Sequence, residues 1–138
     1  DCLLSRGLGD VYKRQHVYGV EVVPEAIADA QQNATLNQLE NTTFVCGKAE
    51  DTILKWQQEG IHPDVVMVDP PRKGCDESFI QTLLTLTPQK IVYISCNPAT
   101  QQRDAAMLQE KYKLIEITPV DMFPQTTHVE TVALFELK

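Results

Sequence analysis

From His16 to the C-terminus, short β-branched apolar runs alternate with longer segments in which apolar residues recur at helical spacing. A strand followed by a helix, repeated several times, is typical of a parallel sheet covered by helices. The run DVVMVD is almost continuously apolar, as expected of a strand that is covered on both faces. The pattern predicts strands over 16–23, 42–47, 64–69 and 90–96, and helices over 24–39, 49–60, 77–86 and 98–112.

The last part of the chain departs from this alternation. Two apolar segments, 113–123 and 128–137, are separated only by the turn sequence PQTT. A connection this short joins antiparallel strands, so one of the two must run against the parallel strands. The sequence therefore predicts an α/β fold whose sheet ends in a C-terminal antiparallel hairpin.

Residues 1–15, DCLLSRGLGDVYKRQ, do not continue the pattern. They contain no amphipathic helix, and their one apolar run is the tripeptide Cys2-Leu3-Leu4. We predict a tail that is disordered or not native to the protein, since VYKRQ looks like the translated remnant of a sequencing adapter. The predicted organisation is a tail over 1–15 and one partial domain over 16–138.

The composition fits a single intracellular domain. The chain has 138 residues, 43% of them hydrophobic, which is enough for one core. It has no run of about 18 apolar residues and no signal-peptide pattern, so we expect a cytoplasmic protein without a membrane contact. The cysteines are widely spaced and without a CxxC pair, which predicts free thiols and no bound metal.

The charge balance bears on nucleic-acid binding. Twelve Lys and Arg residues against 19 Asp and Glu give a formal net charge of −7. A negative protein surface does not attract the negatively charged phosphate backbone of a nucleic acid. If the substrate is RNA, phosphate contacts are expected from a part of the parent protein outside this chain or from a small local patch. The candidates for that patch are Arg72, Lys73 and Arg103.

Two predicted strands end in acidic residues where an open α/β sheet binds its ligands. Glu21 ends the first strand and could accept two hydrogen bonds from a ribose diol, although a strand-end Glu can also be simply solvated. Asp69 ends the third, and the prolines after it, Pro70 and Pro71, favour a rigid extended loop that lines a pocket. The alternative is that Asp69 only begins an ordinary turn.

The segment YISCNPAT is the most specific local arrangement. Asn97 is a favoured helix N-cap and Pro98 a favoured first helical residue, so Cys96 is expected just before a helix N-terminus. The helix dipole favours a thiolate there. Cys46 also follows an apolar strand but has no cap and proline behind it, so we interpret it as a buried structural cysteine.

Near the C-terminus, THVETVALF places His128 and Glu130 on one side of the last strand. A carboxylate at the entrance of an apolar strand is either an exposed edge residue or a functional group. Spacing alone leaves both interpretations open.

Taken together, DPPRKG, SCNPAT and DMFPQTTHVET resemble the signature segments of the RNA (uracil-C5)-methyltransferase family, whose members modify transfer RNA or 23S-type ribosomal RNA. The resemblance runs from about Val17 to Leu137. It implies a class I S-adenosylmethionine-dependent methyltransferase sheet, which is Rossmann-like, and an RNA substrate, with ribosomal RNA expected over transfer RNA. The site residues that it implies are Cys96 as nucleophile, Glu130 as base, and Glu21, Asp69 and Lys48 as cofactor contacts; at Lys48 many relatives carry Asp or Asn.

These residue types suit methylation at carbon 5 of uracil, which is too poor a nucleophile to take a methyl group directly. A thiolate that adds at carbon 6 makes an enolate and so activates carbon 5. A base must then remove the proton from carbon 5 before the cysteine can leave. The target base must also leave its stack, which favours an unpaired loop.

One family feature is not found in the sequence. The Gly-rich loop DxxCGxG, expected just before HVYGVE, is replaced by a segment whose Gly7 and Gly9 have neither a preceding strand nor a following helix. We therefore expect the first strand and the loop to be lacking, the edges of flanking strands to be exposed, and the chain alone to be weak or inactive. We also expect the family's N-terminal RNA-binding domain to be missing from this chain, and an iron-sulfur cluster is expected, if anywhere, in such a missing N-terminal part.

Three alternatives remain at this point. A methyltransferase acting on an exocyclic amino group could use the DPP loop and would not need Cys96. A non-catalytic Rossmann-like binding module would account for the absent Gly-rich loop. A hydride-transfer dehydrogenase is disfavoured because no GxGxxG follows a strand. The target uridine and the oligomeric state stay open.

Overall fold

The computed structural model describes residues 2–6 and 16–138, which together form a seven-stranded mixed sheet and four helices. The strands lie in the order β3-β2-β1-β4-β5-β7-β6. All the strands and helices predicted from residue 16 onward are confirmed. Along the chain, the elements are β1 (Cys2–Arg6), β2 (His16–Glu21), α1 (Pro24–Leu36), β3 (Thr42–Cys46), α2 (Ala49–Gln58), β4 (Val65–Val68), α3 (Glu77–Leu86), β5 (Lys90–Ser95), α4 (Pro98–Leu108), β6 (Tyr112–Val120) and β7 (Glu130–Leu137).

Five of the described strands, β2, β3, β4, β5 and β6, run in one direction. β2 pairs in parallel with β3, and β4 pairs in parallel with β5. β1 is antiparallel to both β2 and β4, so β2 and β4 run the same way. The carboxyl ends of β2, β3, β4 and β5 therefore meet at one edge of the sheet, which we call the carboxyl edge.

The strand at the centre of the sheet corrects one expectation. Cys2–Arg6 lie in the segment predicted to be a disordered tail, but they form β1 and pair with β2 and β4. The edges of these two strands are thus covered by β1, not exposed as expected. Pairing of this kind needs main-chain N–H and C=O groups and no side-chain pattern, which is why the periodicity gave no signal.

The rest of the N-terminal segment lies outside the described residues. This holds for Gly7 and Gly9, whose expected failure to form the Gly-rich loop stays a prediction. The interpretation of residues 1–15 as non-native also stays a prediction, because a paired strand does not depend on the origin of its sequence.

The C-terminal hairpin is confirmed. β7 pairs antiparallel with β6 on one side and with β5 on the other, so it is the strand that runs against the parallel set. A register shift between Leu114 and Glu116 interrupts the β6–β7 pairing. Because of its direction, β7 begins at the carboxyl edge, where β5 ends.

The core lies between the sheet and the helices that pack on it. Alternate residues of β5 are buried, among them Ile91 and Tyr93, as are Ala133 and Phe135 of β7. α3 adds an apolar face that includes Leu83. Burying a large apolar side chain contributes roughly 1.5–3 kcal/mol, so this layer fixes the strands whose ends carry the site. No helix in the described ranges is long and apolar enough to cross a membrane.

Candidate active site

The carboxyl edge collects the residues singled out in the sequence. Glu21 ends β2, Lys48 follows β3, Asp69 follows β4 and Cys96 follows β5. Glu130 begins β7, which enters the sheet at the same edge. The directions of the strands, with β2 to β5 ending and the antiparallel β7 beginning at this edge, thus bring together residues that lie as much as 109 positions apart in the chain.

A cavity of about 410 Å³ opens beside the ends of β2, β3 and β4. Its volume is typical of a small-molecule site. Glu21 and Lys48 line it, but Asp69 does not, although both of its neighbours do. The described residues that line the cavity are Val20, Glu21, Val22, Gly47, Lys48, Ala49, Glu50, Val68, Pro70, Pro71, Lys73, Gly74, Cys75, Asp76 and Phe79.

Glu21 is held by its own turn. Its Oε1 accepts hydrogen bonds from the backbone N–H groups of Val22 at 2.7 Å and Val23 at 3.0 Å. Partial burial works to raise the pKa of the Glu21 carboxyl, but the hydrogen bonds from Val23 and Val22 outweigh it, and the pKa lies below its ordinary value. The side chain is therefore an oriented carboxylate at neutral pH, as binding of a ribose diol requires.

The end of β3 forms the wall beside Glu21. The backbone N–H of Gly47 donates to the carbonyl oxygen of Glu21 at 2.9 Å, which ties the two strand ends together. Lys48 is exposed and stands at the N-cap position of α2 without a side-chain capping bond. Cys46 is exposed and not buried as predicted, because it lies at the sheet edge with its Sγ 3.6 Å from the carbonyl oxygen of Val22.

The DPPRKG segment is a fixed loop. The carbonyl oxygen of Arg72 accepts hydrogen bonds from Asn97 Nδ2 and from Thr100 Oγ1, both at 3.2 Å. Gly74 closes a turn by donating its N–H to the carbonyl oxygen of Pro71 at 2.8 Å. The rigid loop predicted from the two prolines is therefore held from outside as well, by the start of α4.

A buried carboxylate beneath this loop was missed in the sequence. Asp104 of α4 is fully buried, and its Oδ2 accepts from Tyr93 OH at 2.6 Å and from the Cys75 N–H at 2.7 Å. The available signal was helical spacing, since Gln101, Asp104 and Leu108 lie at i, i+3 and i+7 and therefore on one face. That face packs inward, so a carboxylate there must find partners.

Arg103 supplies part of that partnership. Its guanidinium contacts Asp104 Oδ1 through Nε at 2.8 Å and Nη2 at 2.6 Å, and Nη2 also donates to the carbonyl oxygens of Lys73 and Cys75. Arg103, which was predicted to contact phosphate, therefore stabilises the loop, and its side chain is 54% exposed. A role for Arg103 in RNA binding stays a prediction.

Burial also keeps the thiol of Cys75 in its neutral form. It raises the pKa of the Cys75 thiol to about 12, so this sulfur stays protonated at neutral pH. Burial, and then the hydrogen bond to Asp104, raise the pKa of Tyr93 well above its usual value. Both groups are structural parts of the loop support, not acids or bases for a reaction.

The predicted helix cap behind Cys96 is confirmed. Asn97 is the N-cap of α4, and its Oδ1 accepts from the Ala99 N–H at 3.1 Å. Ser95 adds a second brace, because its Oγ accepts from the Asn97 N–H at 3.0 Å. Cys96 is half-buried between these two residues, as the residue that leads into the helix.

The β5–β7 register determines what lies next to Cys96. Ser95 pairs with Thr131, and Thr131 Oγ1 donates to Gln101 Oε1 at 2.7 Å. In an antiparallel pair, the residue after Ser95 and the residue before Thr131 lie at the same end. Cys96 and Glu130, which flank this last pair, therefore lie at the same end of two adjacent strands, each half-buried.

The β6–β7 loop meets the DPPRKG loop through a side-chain contact. Arg72 Nη2 lies 2.6 Å from His128 Nδ1. Lys73, the other basic residue of the predicted patch, forms an exposed ion pair with Asp76 at 3.0 Å. Arg72 and Lys73 are both exposed at the carboxyl edge, where an RNA contact was predicted.

Comparison with known proteins identifies the family of this chain. The family model described as tRNA (uracil-5-)-methyltransferase matches residues 7–138. A Staphylococcus aureus protein named as an uncharacterized RNA methyltransferase is 81% identical over 124 residues, which are 90% of this chain and 27% of that protein. A Staphylococcus epidermidis protein of the same name is 75% identical over the same shares. The chain thus spans about a quarter of the length of these relatives.

Solved structures agree. The Pyrococcus abyssi tRNA (uracil-54, C5)-methyltransferase in complex with S-adenosyl-L-homocysteine superposes with a TM-score of 0.73 and 35% identity, covering 86% of this chain and 28% of that one. TrmN from Thermus thermophilus, at 18% identity and a TM-score of 0.65, covers 88% of this chain and 36% of that one and shares the fold alone.

Proposed function

The chain belongs to the tRNA (uracil-5-)-methyltransferase family and has the class I S-adenosylmethionine-dependent methyltransferase fold; on that premise we propose that it carries the chemistry of methyl transfer to carbon 5 of a uridine in RNA. The observation that supports this most strongly is the β5–β7 register, which brings Cys96 and Glu130 to the same end of two adjacent strands at the carboxyl edge. A nucleophile and a base at one place are what this reaction needs.

The cavity beside β2, β3 and β4 fits S-adenosylmethionine. It has the volume for a small molecule, an oriented carboxylate at Glu21, and apolar walls that include Val68 and Phe79. Glu21 would hold the ribose, with Lys48 as a further contact in the cavity; Asp69 lies between two lining residues, Val68 and Pro70, and its contact with the cofactor stays a prediction. S-adenosylmethionine supplies an electrophilic methyl group when it is bound.

The chain's own residues would carry the rest of the reaction. The sulfur of Cys96 adds to carbon 6 of the uracil, and the electron pair of the 5,6 double bond moves toward carbon 5, which takes up the methyl group. Glu130 then removes the proton that remains on carbon 5. The double bond re-forms as the bond between carbon 6 and sulfur breaks, and Cys96 is regenerated. A general base in this role is typically worth about 10² to 10⁴ in rate.

The substrate proposal is an RNA in which the target uridine can leave its stack. A base that reacts at carbon 5 and carbon 6 must enter the site, which favours an unpaired loop. We favour ribosomal RNA over transfer RNA, as in the prediction from sequence. Since the matched family is described by transfer RNA, both kinds of RNA belong in the test.

The trapping of a covalent intermediate tests the proposal. In a full-length protein carrying these residues, Glu130→Gln should accumulate a protein–RNA adduct on a denaturing gel, labelled when the methyl group of the cofactor is tritiated. The reason is that the adduct cannot lose its proton from carbon 5. Cys96→Ala should form no adduct with either RNA.

Two controls make the outcome decisive. Cys46→Ala removes an exposed thiol at the same sheet edge and should leave the adduct unchanged. No adduct with Glu130→Gln would count against the assignment. Full methylation by Cys96→Ser would favour transfer to an amino group, and failure of the wild type to bind S-adenosylmethionine would favour a non-catalytic module.

A further inference from the structure

We propose that His128 is a positioning residue that orients the guanidinium of Arg72 toward the RNA substrate. The role in RNA binding rests on the proposed function, whereas the contact between His128 and Arg72 can be tested independently of that function. It starts from the 2.6 Å separation between Arg72 Nη2 and His128 Nδ1, which joins the DPPRKG loop to the segment that leads into Glu130.

Arg72 has a fixed main chain and a long side chain. Two hydrogen bonds to its carbonyl oxygen, from Asn97 and Thr100, anchor the backbone to the start of α4. The side chain itself is exposed. An arginine on an anchored backbone still samples many rotamers, so a partner is needed to hold the guanidinium in one direction.

His128 stands on a braced turn and can be that partner. Thr126 Oγ1 donates to the carbonyl oxygen of Phe123 at 2.7 Å and accepts from the His128 N–H at 3.2 Å. β7 begins two residues later at Glu130. The imidazole is thus placed by the same segment that places the proposed base.

The chemistry of the two side chains fixes the direction of the hydrogen bond. A guanidinium is always charged and can only donate, so His128 Nδ1 must be the acceptor. The ring is then neutral with its proton on Nε2. One donor of Arg72 is used in this contact, and the other N–H groups of the fork remain for oxygen atoms of the substrate.

The position of the pair indicates what it does. Arg72 is tied through its carbonyl oxygen to the N-cap behind Cys96 and through its guanidinium to the segment before Glu130. A cation attached both to the segment after the proposed nucleophile and to the segment before the proposed base suits a polyanion that delivers its base to this edge. Loss of His128 should therefore weaken RNA binding and leave cofactor binding as it was.

Steady-state kinetics test the role in the full-length protein. His128→Ala should raise KM for RNA about tenfold, the size expected when an arginine rotamer is no longer held, without changing KM for S-adenosylmethionine. His128→Asn should stay within about twofold of wild type, because its side-chain oxygen can accept where Nδ1 does. His62→Ala should change neither constant, since His62 is exposed in the loop before β4, away from the carboxyl edge.

A double substitution separates positioning from an independent contact. If His128 acts through Arg72, Arg72→Ala with His128→Ala should bind RNA no worse than Arg72→Ala alone. Additive losses would overturn the proposal. A thermal unfolding curve of each variant identifies any loss that comes from misfolding.

Nitrogen NMR of the imidazole decides the contact whether or not the protein methylates RNA. In the 138-residue chain, His128 should show the Nε2–H tautomer, and Arg72→Lys should shift its Nδ1 resonance while leaving His62 unmoved. A His128 spectrum that is unchanged by Arg72→Lys would refute the contact. A shifted spectrum, together with no methylated product from the full-length wild-type protein, would instead refute the proposed function and keep the contact.

Discussion

Gly74 shows how a single residue determines the shape of the site. Its φ is +80°, and a Cβ built on it would lie 2.7 Å from Arg103 Nη2 and from Asp104 Oδ2. The same backbone turns the DPPRKG loop so that the Cys75 N–H reaches Asp104. Absence of a side chain at Gly74 is therefore needed both for its backbone conformation and for the packing of a buried carboxylate.

We expect Gly74→Ala to lower the free energy of unfolding by about 2–4 kcal/mol, from left-handed strain and from hydrogen bonds to Asp104 that must lengthen. Gly60→Ala is the matched control, since Gly60 also has a φ of +80° but nothing lies within 4 Å of the position that a Cβ would take there. It should cost only about 1 kcal/mol. Urea denaturation measures both, and equal losses would contradict the argument from packing.

The residues of the site were predictable to different degrees. Asn97 was identified as a cap because the chemistry of a helix N-terminus is local, and the structure confirms it. Asp104 was missed because its partners come from β5 and from the DPPRKG loop, which sequence spacing does not connect to α4. Cys46 was wrongly predicted to be buried because an apolar strand does not reveal whether its last residue is covered.

At the scale of elements, the side chain of Asn97 at the start of α4 has two roles. Asn97 Oδ1 caps the helix by accepting from Ala99, and Asn97 Nδ2 donates to the carbonyl oxygen of Arg72. The first bond stabilises the helix that follows Cys96. The second attaches that helix to the DPPRKG loop, so one residue couples two of the segments that form the site.

Substitutions at Asn97 should separate these roles. Asn97→Ala loses both bonds and should lower the free energy of unfolding by about 1–2 kcal/mol. Asn97→Asp keeps the capping acceptor but has no N–H to donate, so it should recover most of the stability while the loop loosens. Amide hydrogen exchange at Gly74 reports the loop, and it should be faster in both variants. Protection of Gly74 equal to wild type in Asn97→Asp would contradict the coupling.

The elements from residue 16 onward were predicted because apolar periodicity and helix start and stop signals report local structure. The strand Cys2–Arg6 was not predicted. β1 is held by main-chain pairing with β2 on one side and β4 on the other, and such pairing leaves no apolar pattern in the sequence. Nor could the sequence show that Cys96 and Glu130 lie at the same end of two adjacent strands. That fact depends on the register between β5 and β7, which no local pattern encodes.

At the scale of the whole molecule, charge opposes the proposed substrate. The formal net charge is −7, and the cations at the carboxyl edge are few. Arg72 and Lys73 are exposed there, whereas the guanidinium of Arg103 is engaged with Asp104 and with carbonyl oxygens of the loop. This domain therefore has few exposed cations with which to hold an RNA backbone.

The salt dependence of RNA binding measures that limit. Each phosphate contact on a single strand adds about 0.7 to the slope of log affinity against log salt. With Lys48 assigned to the cofactor cavity, the two exposed cations of the DPPRKG loop predict a slope of about 1.4 for the 138-residue chain. Lys73→Ala should lower the slope by about 0.7. Lys113→Ala is the control, because Lys113 is exposed near the start of β6 at the opposite edge. Filter binding with a uridine-containing loop between about 50 and 200 mM salt suffices, and a slope of about 4 or more would mean that phosphates contact a surface other than this edge.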